Sequence, residues 1–135
     1  MTATHYETLT EARKHIKDLV DAAESGRPAS VRRDAYRAAV VDAERLRYAL
    51  SLLRPSHAQV VHEAGGWSAF IPGLPIAADG GTFDEALDEM VVALREYVED
   101  WSDHLLYAPN HADNWGLVQV IDLSTDEQLK DWLVQ

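Results

Sequence analysis

The basic residues of this chain are concentrated near its start, where they could bind phosphate groups. The chain has 135 residues, and ten of its twelve lysines and arginines lie within residues 1–54, against eight acidic residues, which gives 10 − 8 = +2. Arginine holds phosphates and pairs bidentately with guanine. Six basic residues lie on the first predicted helix and the adjoining hairpin and are candidates for binding DNA: Arg13, Lys14, Lys17, Arg32, Arg33 and Arg37. A solvated charged surface accounts for the same residues, so the charge pattern alone leaves both interpretations open.

The remainder of the chain is strongly acidic and could bind a basic protein. Residues 55–135 contain two basic and fifteen acidic residues, so 2 − 15 = −13, which with +2 gives the total of −11. An acidic domain can cover the basic surface of an RNA-cleaving protein and steer its approach. The candidates are acids of the longest predicted helix and two tryptophans that could act as apolar anchors: Asp84, Asp88, Glu89, Glu96, Glu99, Asp100, Asp103, Trp115 and Trp132. A solvated helix face also explains the acids.

The residues that could support catalysis or metal binding are poorly arranged for either. A two-metal site needs several carboxylates at strand ends, and the predicted strands offer only Glu63 and Asp122. His104, His111 and Asp113 are close in sequence, but no fourth ligand or helical i, i+4 spacing accompanies them. The chain has no cysteine for disulfides, thiolate ligands or a nucleophile. We therefore predict no enzymatic activity, no cofactor and no metal site, with a metal-dependent nuclease as the weakest alternative.

Capping residues and apolar spacing place the elements that position these residues. Three elements are predicted in the first half: a helix over 8–25, a hairpin with strands at 29–33 and 36–41, and a helix over 42–54. The second half begins with a hairpin at 58–63 and 67–71, a third strand or loop within 74–81, and an amphipathic helix over 82–101 that packs on the sheet. We further predict an irregular loop over 102–114, a strand over 116–122, and a last helix that is capped by residues 124–127.

The predicted fold class is α+β, in two parts divided at Pro55: residues 1–54 and residues 57–135. The composition is 47% hydrophobic, which suffices to bury a core. The apolar runs are far shorter than the ~20 residues of a membrane span, and the polar start does not have the pattern of a signal peptide. A cytoplasmic protein without membrane contact is therefore expected.

The first half resembles the Phd/YefM family of antitoxins over roughly residues 5–53. The resemblance is carried by residues 9–13, 19–21, Gly26-Arg27-Pro28 and residues 42–46, although Asp34-Ala35-Tyr36 stands where a glycine-containing turn is usual. It implies a dimeric α+β module that binds the operator of its own operon. An arginine at the start of the first helix and one at the end of the following strand would contact DNA. Here these would be Arg13 and either Arg32 or Arg33.

The second half is similar to the core of HicB antitoxins over roughly residues 59–101. Residues 66–74, then 79–86, and the long amphipathic helix carry the similarity. It implies a degenerate ribonuclease H-like module that occludes a small RNA-cleaving toxin.

Together the two resemblances predict an antitoxin of a type II toxin–antitoxin system that neutralises its toxin by stoichiometric binding and represses its own operon. The expected partners are a RelE-like or HicA-like ribonuclease, a palindromic operator DNA, and a second copy of the chain in a homodimer or higher oligomer. A protein that sequesters a partner without binding DNA is the first alternative.

Overall fold

In residues 3–135, the part of the chain that the structure describes, the computed structural model has six α-helices and two three-stranded sheets. The α+β class predicted from the sequence is therefore confirmed. The chain forms two compact units, one up to Leu46 and one from Arg47 to Gln135. This division falls inside a helix, ahead of the boundary predicted at Pro55. The functional roles assigned to the two halves remain predictions.

The first unit is built on a small sheet with helices on one side. This first sheet contains the strands β1 (Thr4–Tyr6), β2 (Ala29–Arg33) and β3 (Tyr36–Ala39). Its order is β1-β2-β3, with β1 parallel and β3 antiparallel to β2. The helices α1 (Leu9–Lys14) and α2 (Ile16–Ser25) connect β1 to β2, as a parallel connection requires.

The core of the first unit lies between α1, α2 and one face of the first sheet. Buried apolar residues from both helices and from β2 form it, and three half-buried residues pack against them: Ala12, Leu19, Ala22 and Ala29, with Tyr6, Val31 and Val40. The predicted hairpin is confirmed. β1 was not predicted because three residues carry too little periodicity to indicate a strand.

The single helix predicted over 8–25 is interrupted at His15. This residue has φ −124° and ψ 30°, outside the helical region, and ends α1 while it precedes α2. The predicted ends are correct. The Thr8 hydroxyl accepts a hydrogen bond from the Glu11 amide at 3.1 Å, and Gly26 adopts the left-handed conformation at φ 80°.

The second unit consists of a sheet, a long helix on that sheet, and two shorter helices on the long one. The helix α3 (Ala43–Leu53) leads into it from the first unit. The second sheet is antiparallel, with strands β4 (Gln59–Glu63), β5 (Gly66–Phe70) and β6 (Ala77–Gly80). The helix α4 (Phe83–Asp103) packs on β5 and β6, and α4 also contacts α5 (Trp115–Leu123) and α6 (Asp126–Leu133). The predicted packing of the long helix on the sheet is confirmed.

Gly80 permits the close approach of β6 to α4. A side-chain carbon at this position would overlap the backbone of Glu85 and Ala86. A strand glycine at a close backbone approach is a usual reason for that residue type.

The strand predicted over 116–122 is wrong, because these residues form α5. Gly116, Leu117, Val118, Val120 and Ile121 are all buried. The exposed residues of α5, Trp115, Gln119 and Asp122, form one narrow stripe, and only two of them are polar. A short run that is otherwise apolar is hard to distinguish from a buried strand by pattern. Asp122 therefore lies on a helix and not at a strand end. The predicted loop over 102–114 contains the end of α4 and two single 3-10 turns, Leu105–Tyr107 and Ala112–Asn114.

The last helix is confirmed, and Thr125 caps it. The Thr125 hydroxyl accepts from the Gln128 amide and the Gln128 side chain accepts from the Thr125 amide. Arg95 of α4 fixes the end of α5: it donates to the carbonyls of Ile121 and Ser124 at 2.6 and 2.8 Å and pairs with Asp126 at 2.9 Å. These bonds satisfy carbonyls that a helix end leaves free.

Candidate functional site

The register of the first sheet assigns its basic residues to two faces. Tyr6, Val31 and Val40 pack against the helix-side core. Side chains alternate along a strand. The neighbours of these core residues and their cross-strand partners therefore point to the opposite face, which we call the open face: His5, Ser30, Arg32 and Arg37. The helices α1 and α2, with Arg13, Lys14 and Lys17, lie on the helix side. The six predicted DNA-binding residues therefore do not form one continuous surface.

The β2–β3 hairpin extends beyond the last residue pair of β1. The pairing of β1 with β2 ends at Tyr6 and Val31, whereas β2 and β3 continue to pair through Arg33 and Tyr36. We call residues 32–37 the hairpin tip. Asp34 occupies the left-handed region at φ 54°, which aspartate tolerates better than most residues, so the turn forms without the usual glycine.

The basic residues on the helix side differ in how far their charge is already paired. Lys17 donates to Asp21 at 2.6 Å, and this hydrogen bond raises the pKa of Lys17. Lys14 lies 3.6 Å from Glu11. Arg33 points toward the helix side, because Val31 does, and its guanidinium carbon lies 5.8 Å from the ring centre of Tyr36. Arg13 is exposed, and neither Arg13 nor Arg33 has an ion pair to any residue between 3 and 135. These two arginines therefore present unneutralised charge on the helix side.

A hydrogen-bonded network occupies the open face. His5 contacts the Ser30 hydroxyl through Nδ1 and the Glu7 carboxylate through Nε2, both at 2.7 Å. The second Glu7 oxygen lies 3.2 Å from Nε of Arg32, and Arg37 donates to Ser30 at 3.4 Å. The hydrogen bond from His5, together with the charge of Arg32, lowers the pKa of Glu7. The residue types are those of a serine–histidine–acid relay, but Ser30 is only 6% exposed, which gives a substrate no access to the hydroxyl.

In the second unit, a row of four acidic residues and one valine follows the exposed side of α4. Its members follow one another by steps of 3 or 4 residues and are all exposed, and we call them the outer stripe: Glu89, Val92, Glu96, Glu99 and Asp103. Asp100 lies beside it. In the described part of the chain, Glu89, Glu96, Glu99 and Asp100 have no ion-pair partner. Val92 is 49% exposed within this acidic surface.

Two of the predicted acids lie toward α6 instead. Asp88 accepts a hydrogen bond from Lys130 at 2.7 Å, which raises the pKa of Lys130, and Asp84 contributes to the same effect. Their charge is partly neutralised within the protein. Glu96, Glu99 and Asp100 are therefore better placed than Asp84 and Asp88 to bind a basic partner.

The two candidate tryptophans have opposite environments. Trp132 is 2% exposed, and its indole NH donates to the Arg54 carbonyl at 2.9 Å. It is a core residue, so the expectation of an exposed anchor is wrong for Trp132. Trp115 is 54% exposed at the start of α5. Tyr107 is 80% exposed and was not identified from the sequence, because nothing in an irregular segment indicates which side chains face solvent.

The histidines of the second unit are engaged in other contacts. The Tyr97 hydroxyl lies 2.8 Å from Nδ1 of His111 and accepts from Asn114 at 3.0 Å. His104 lies 3.2 Å from Asp103. Within residues 3–135 no three metal-ligating side chains converge.

The comparisons with known proteins yield a match of structure but not of sequence. No protein-family model matches the sequence, and no curated protein matches it either. A crystal structure from Syntrophomonas wolfei subsp. wolfei is similar over 98% of this chain and 96% of its own, with a TM-score of 0.78 and 20% identity. That protein is described as the antitoxin part of a proposed toxin/antitoxin system. The two chains share one fold.

This similarity covers both units, so the succession of the two units is itself a feature of the shared fold. At 20% identity it extends to the arrangement of the chain and not to particular site residues. None of the helices between residues 3 and 135 has the length and apolarity that a bilayer span requires.

Proposed function

We propose that this chain is an antitoxin that binds a basic toxin protein with the outer stripe of α4 and binds operator DNA with its first unit. The observation that carries the proposal is the outer stripe, because most of its carboxylates lack an ion-pair partner among the described residues. The chain also shares its fold with a protein described as an antitoxin. The action is stoichiometric occlusion, without catalysis. The partner we propose is an RNA-cleaving toxin of the RelE-like or HicA-like kind, which places both proteins in the cytoplasm.

The spacing of the outer stripe supports a basic partner. Carboxylates three or four residues apart on a helix repel one another and cost about 0.2–0.5 kcal/mol for each pair. The neighbouring acids Asp84 and Asp88 have Lys130 to offset this cost, whereas Glu96 and Glu99 form no ion pair with any residue between 3 and 135. A basic surface that holds RNA would supply the missing charge and accelerate association. Val92, within the stripe, and the exposed Trp115 offer apolar contact area for affinity.

For DNA, we propose that Arg13 and Arg33 make the main contacts on the helix side. The sequence does not decide which of the two strand-end arginines would contact DNA. Arg33 shares the helix side with α1, while Arg32 lies on the open face. A two-stranded ribbon fits the major groove, and the hairpin tip carries three arginines. In a homodimer these contacts would be duplicated and would match a palindromic operator.

The toxin part of the proposal is tested with the reading frame adjacent to this gene. We expect its product to stop growth when expressed alone, and this chain to restore growth and elute with it in one complex. Co-elution without toxicity would favour the alternative of a partner-sequestering protein. A harmless neighbour that does not co-purify would refute the toxin part.

The DNA part is tested by replacing Arg13 with alanine. We expect the affinity for the DNA upstream of the reading frame to fall about tenfold at moderate salt, since one charge-assisted phosphate contact is lost, and the slope of log affinity against log salt to decrease by about 0.9. Fluorescence anisotropy measures both. Arg27→Ala is the charge-matched control, because Arg27 is an exposed residue of the same unit that lies neither on α1 nor in the hairpin tip. Equal losses in both variants would contradict a specific role of Arg13.

A further inference from the structure

The hydrogen bonds of the open face fit one assignment of donors and acceptors. A carboxylate only accepts, so Nε2 of His5 carries the proton that is donated to Glu7. In the neutral imidazole Nδ1 is then the acceptor, and the Ser30 hydroxyl donates to it. Arg37 donates to the Ser30 oxygen. The two ends of this chain of bonds are therefore the two arginines of the open face.

We infer that His5 and Glu7 are positioning residues that hold Arg32 in place for a DNA phosphate, and that protonation of His5 strengthens that contact. The inference rests on the DNA-binding part of the proposed function. It adds a contact on the open face of the hairpin to those of Arg13 and Arg33 on the helix side, because a two-stranded ribbon in the major groove has phosphates on both sides of it. Neither His5 nor Glu7 is among the candidate DNA-binding residues that the sequence indicates.

The geometry of Arg32 supports a positioning role. Glu7 contacts the Nε atom of the guanidinium at 3.2 Å, so the two terminal nitrogens stay available to a phosphate. The Arg32 side chain is 42% exposed, and it lies directly across from Arg37 in the strand register. Like charges in this arrangement destabilise a sheet unless an anion lies near them. Glu7 supplies one such charge, and a bound phosphate would supply another.

Protonation of His5 changes the charge of this face. With neutral His5, the groups Arg32, Arg37 and Glu7 sum to 2 − 1 = +1, and with charged His5 they sum to +2. The charged groups that face His5 are Glu7, which directly follows β1, and Arg32 and Arg37 across the sheet. At the edge of β1 toward α2, Asp18, Asp21 and Arg27 line a cavity together with His5. A charged His5 therefore makes the open face more attractive to phosphate, and mildly acidic solution favours the charged form of an imidazole.

The test measures DNA affinity at constant salt at pH 7.5 and at pH 5.5. The probe is a labelled double-stranded fragment from immediately upstream of the reading frame, with an unrelated fragment of equal length as competitor. We expect the wild-type chain to bind about fivefold more tightly at the lower pH, the effect of one added charge near a phosphate in water. His5→Gln, which keeps hydrogen-bonding capacity without a titratable group, should lose this difference. His104→Gln, at an exposed histidine of the second unit, should keep it.

A double substitution tests whether His5 acts through Arg32. In the Arg32→Ala background, His5→Gln should change the pH dependence much less than it does in the wild-type chain. A pH dependence that persists in His5→Gln would overturn the inference and leave DNA binding itself standing.

A second measurement does not depend on DNA. If the wild-type chain binds no DNA at either pH, the DNA-binding part of the proposed function fails, and NMR then tests the positioning directly. The Arg32 Nε proton should exchange more slowly with solvent in the wild-type chain than in Glu7→Ala. Equal exchange rates would show that Glu7 does not hold Arg32.

Discussion

Replacing Trp132 with alanine is expected to destabilise the second unit by about 3–5 kcal/mol, the cost of removing a large buried aromatic side chain. Trp132 is 2% exposed and ranks among the largest fully buried side chains. Its loss also leaves the partly buried Arg54 carbonyl without the indole donor, which adds to the cost. Urea denaturation followed through the amide signals of residues 47–135 measures the change in the free energy of unfolding.

Trp115→Ala is the matched control for this experiment. Trp115 is the same residue type in the same unit, but it is 54% exposed, so its removal should change stability by less than about 1 kcal/mol. In toxin binding the order of the effects should be reversed. Trp115→Ala should lower the affinity more than Trp132→Ala, because only Trp115 is available for contact. A large loss of stability in Trp115→Ala together with a small one in Trp132→Ala would contradict the burial that distinguishes the two side chains.

Most of the secondary structure could be predicted from local signals. The capping residues Thr8, Thr82 and Thr125 all accept a hydrogen bond at the start of a helix, because a hydroxyl at that position satisfies an otherwise free amide. The apolar period of α4 likewise matches most of its buried residues, although Val91 is buried outside that period and Phe83 is exposed. The signal fails in the short helix α5, where Gln119 and Asp122 are the only polar residues of nine and the sequence is also compatible with a strand.

The candidate site was predictable in residue type but not in orientation. Arg32 and Arg33 are adjacent in sequence, and a single residue of register decides which of them faces α1 and α2. The contact between His5 and Ser30 joins residues 25 positions apart through β1, a strand that is too short to be recognised. Trp115 and Trp132 differ in exposure only because of packing between helices. In each case tertiary structure provides the information, and no local pattern contains it.

Reversing two charges of the outer stripe is expected to abolish neutralisation of the toxin. The double variant Glu96→Lys/Glu99→Lys places two cations where we propose that a basic surface docks, and like-charge contacts of this kind cost several kcal/mol. We expect the affinity for the toxin to fall by at least about 100-fold, which corresponds to roughly 2.7 kcal/mol. Titration calorimetry with the purified toxin measures the affinity, and loss of growth rescue shows the consequence in cells. The fold should persist, because both residues are exposed.

The control for this variant changes the net charge by the same amount on another helix. Glu127→Lys/Asp131→Lys on α6 also replaces two exposed acids by lysines one helical turn apart, so the net charge of the chain shifts by the same amount. If the toxin is attracted only by the overall charge of the second unit, both variants should lose affinity equally. If it docks on α4, the α6 variant should show a slower association and a largely retained complex, because charges outside the contact change the rate of encounter more than the stability of the complex. Equal and complete loss in both variants would contradict a defined binding surface on the outer stripe.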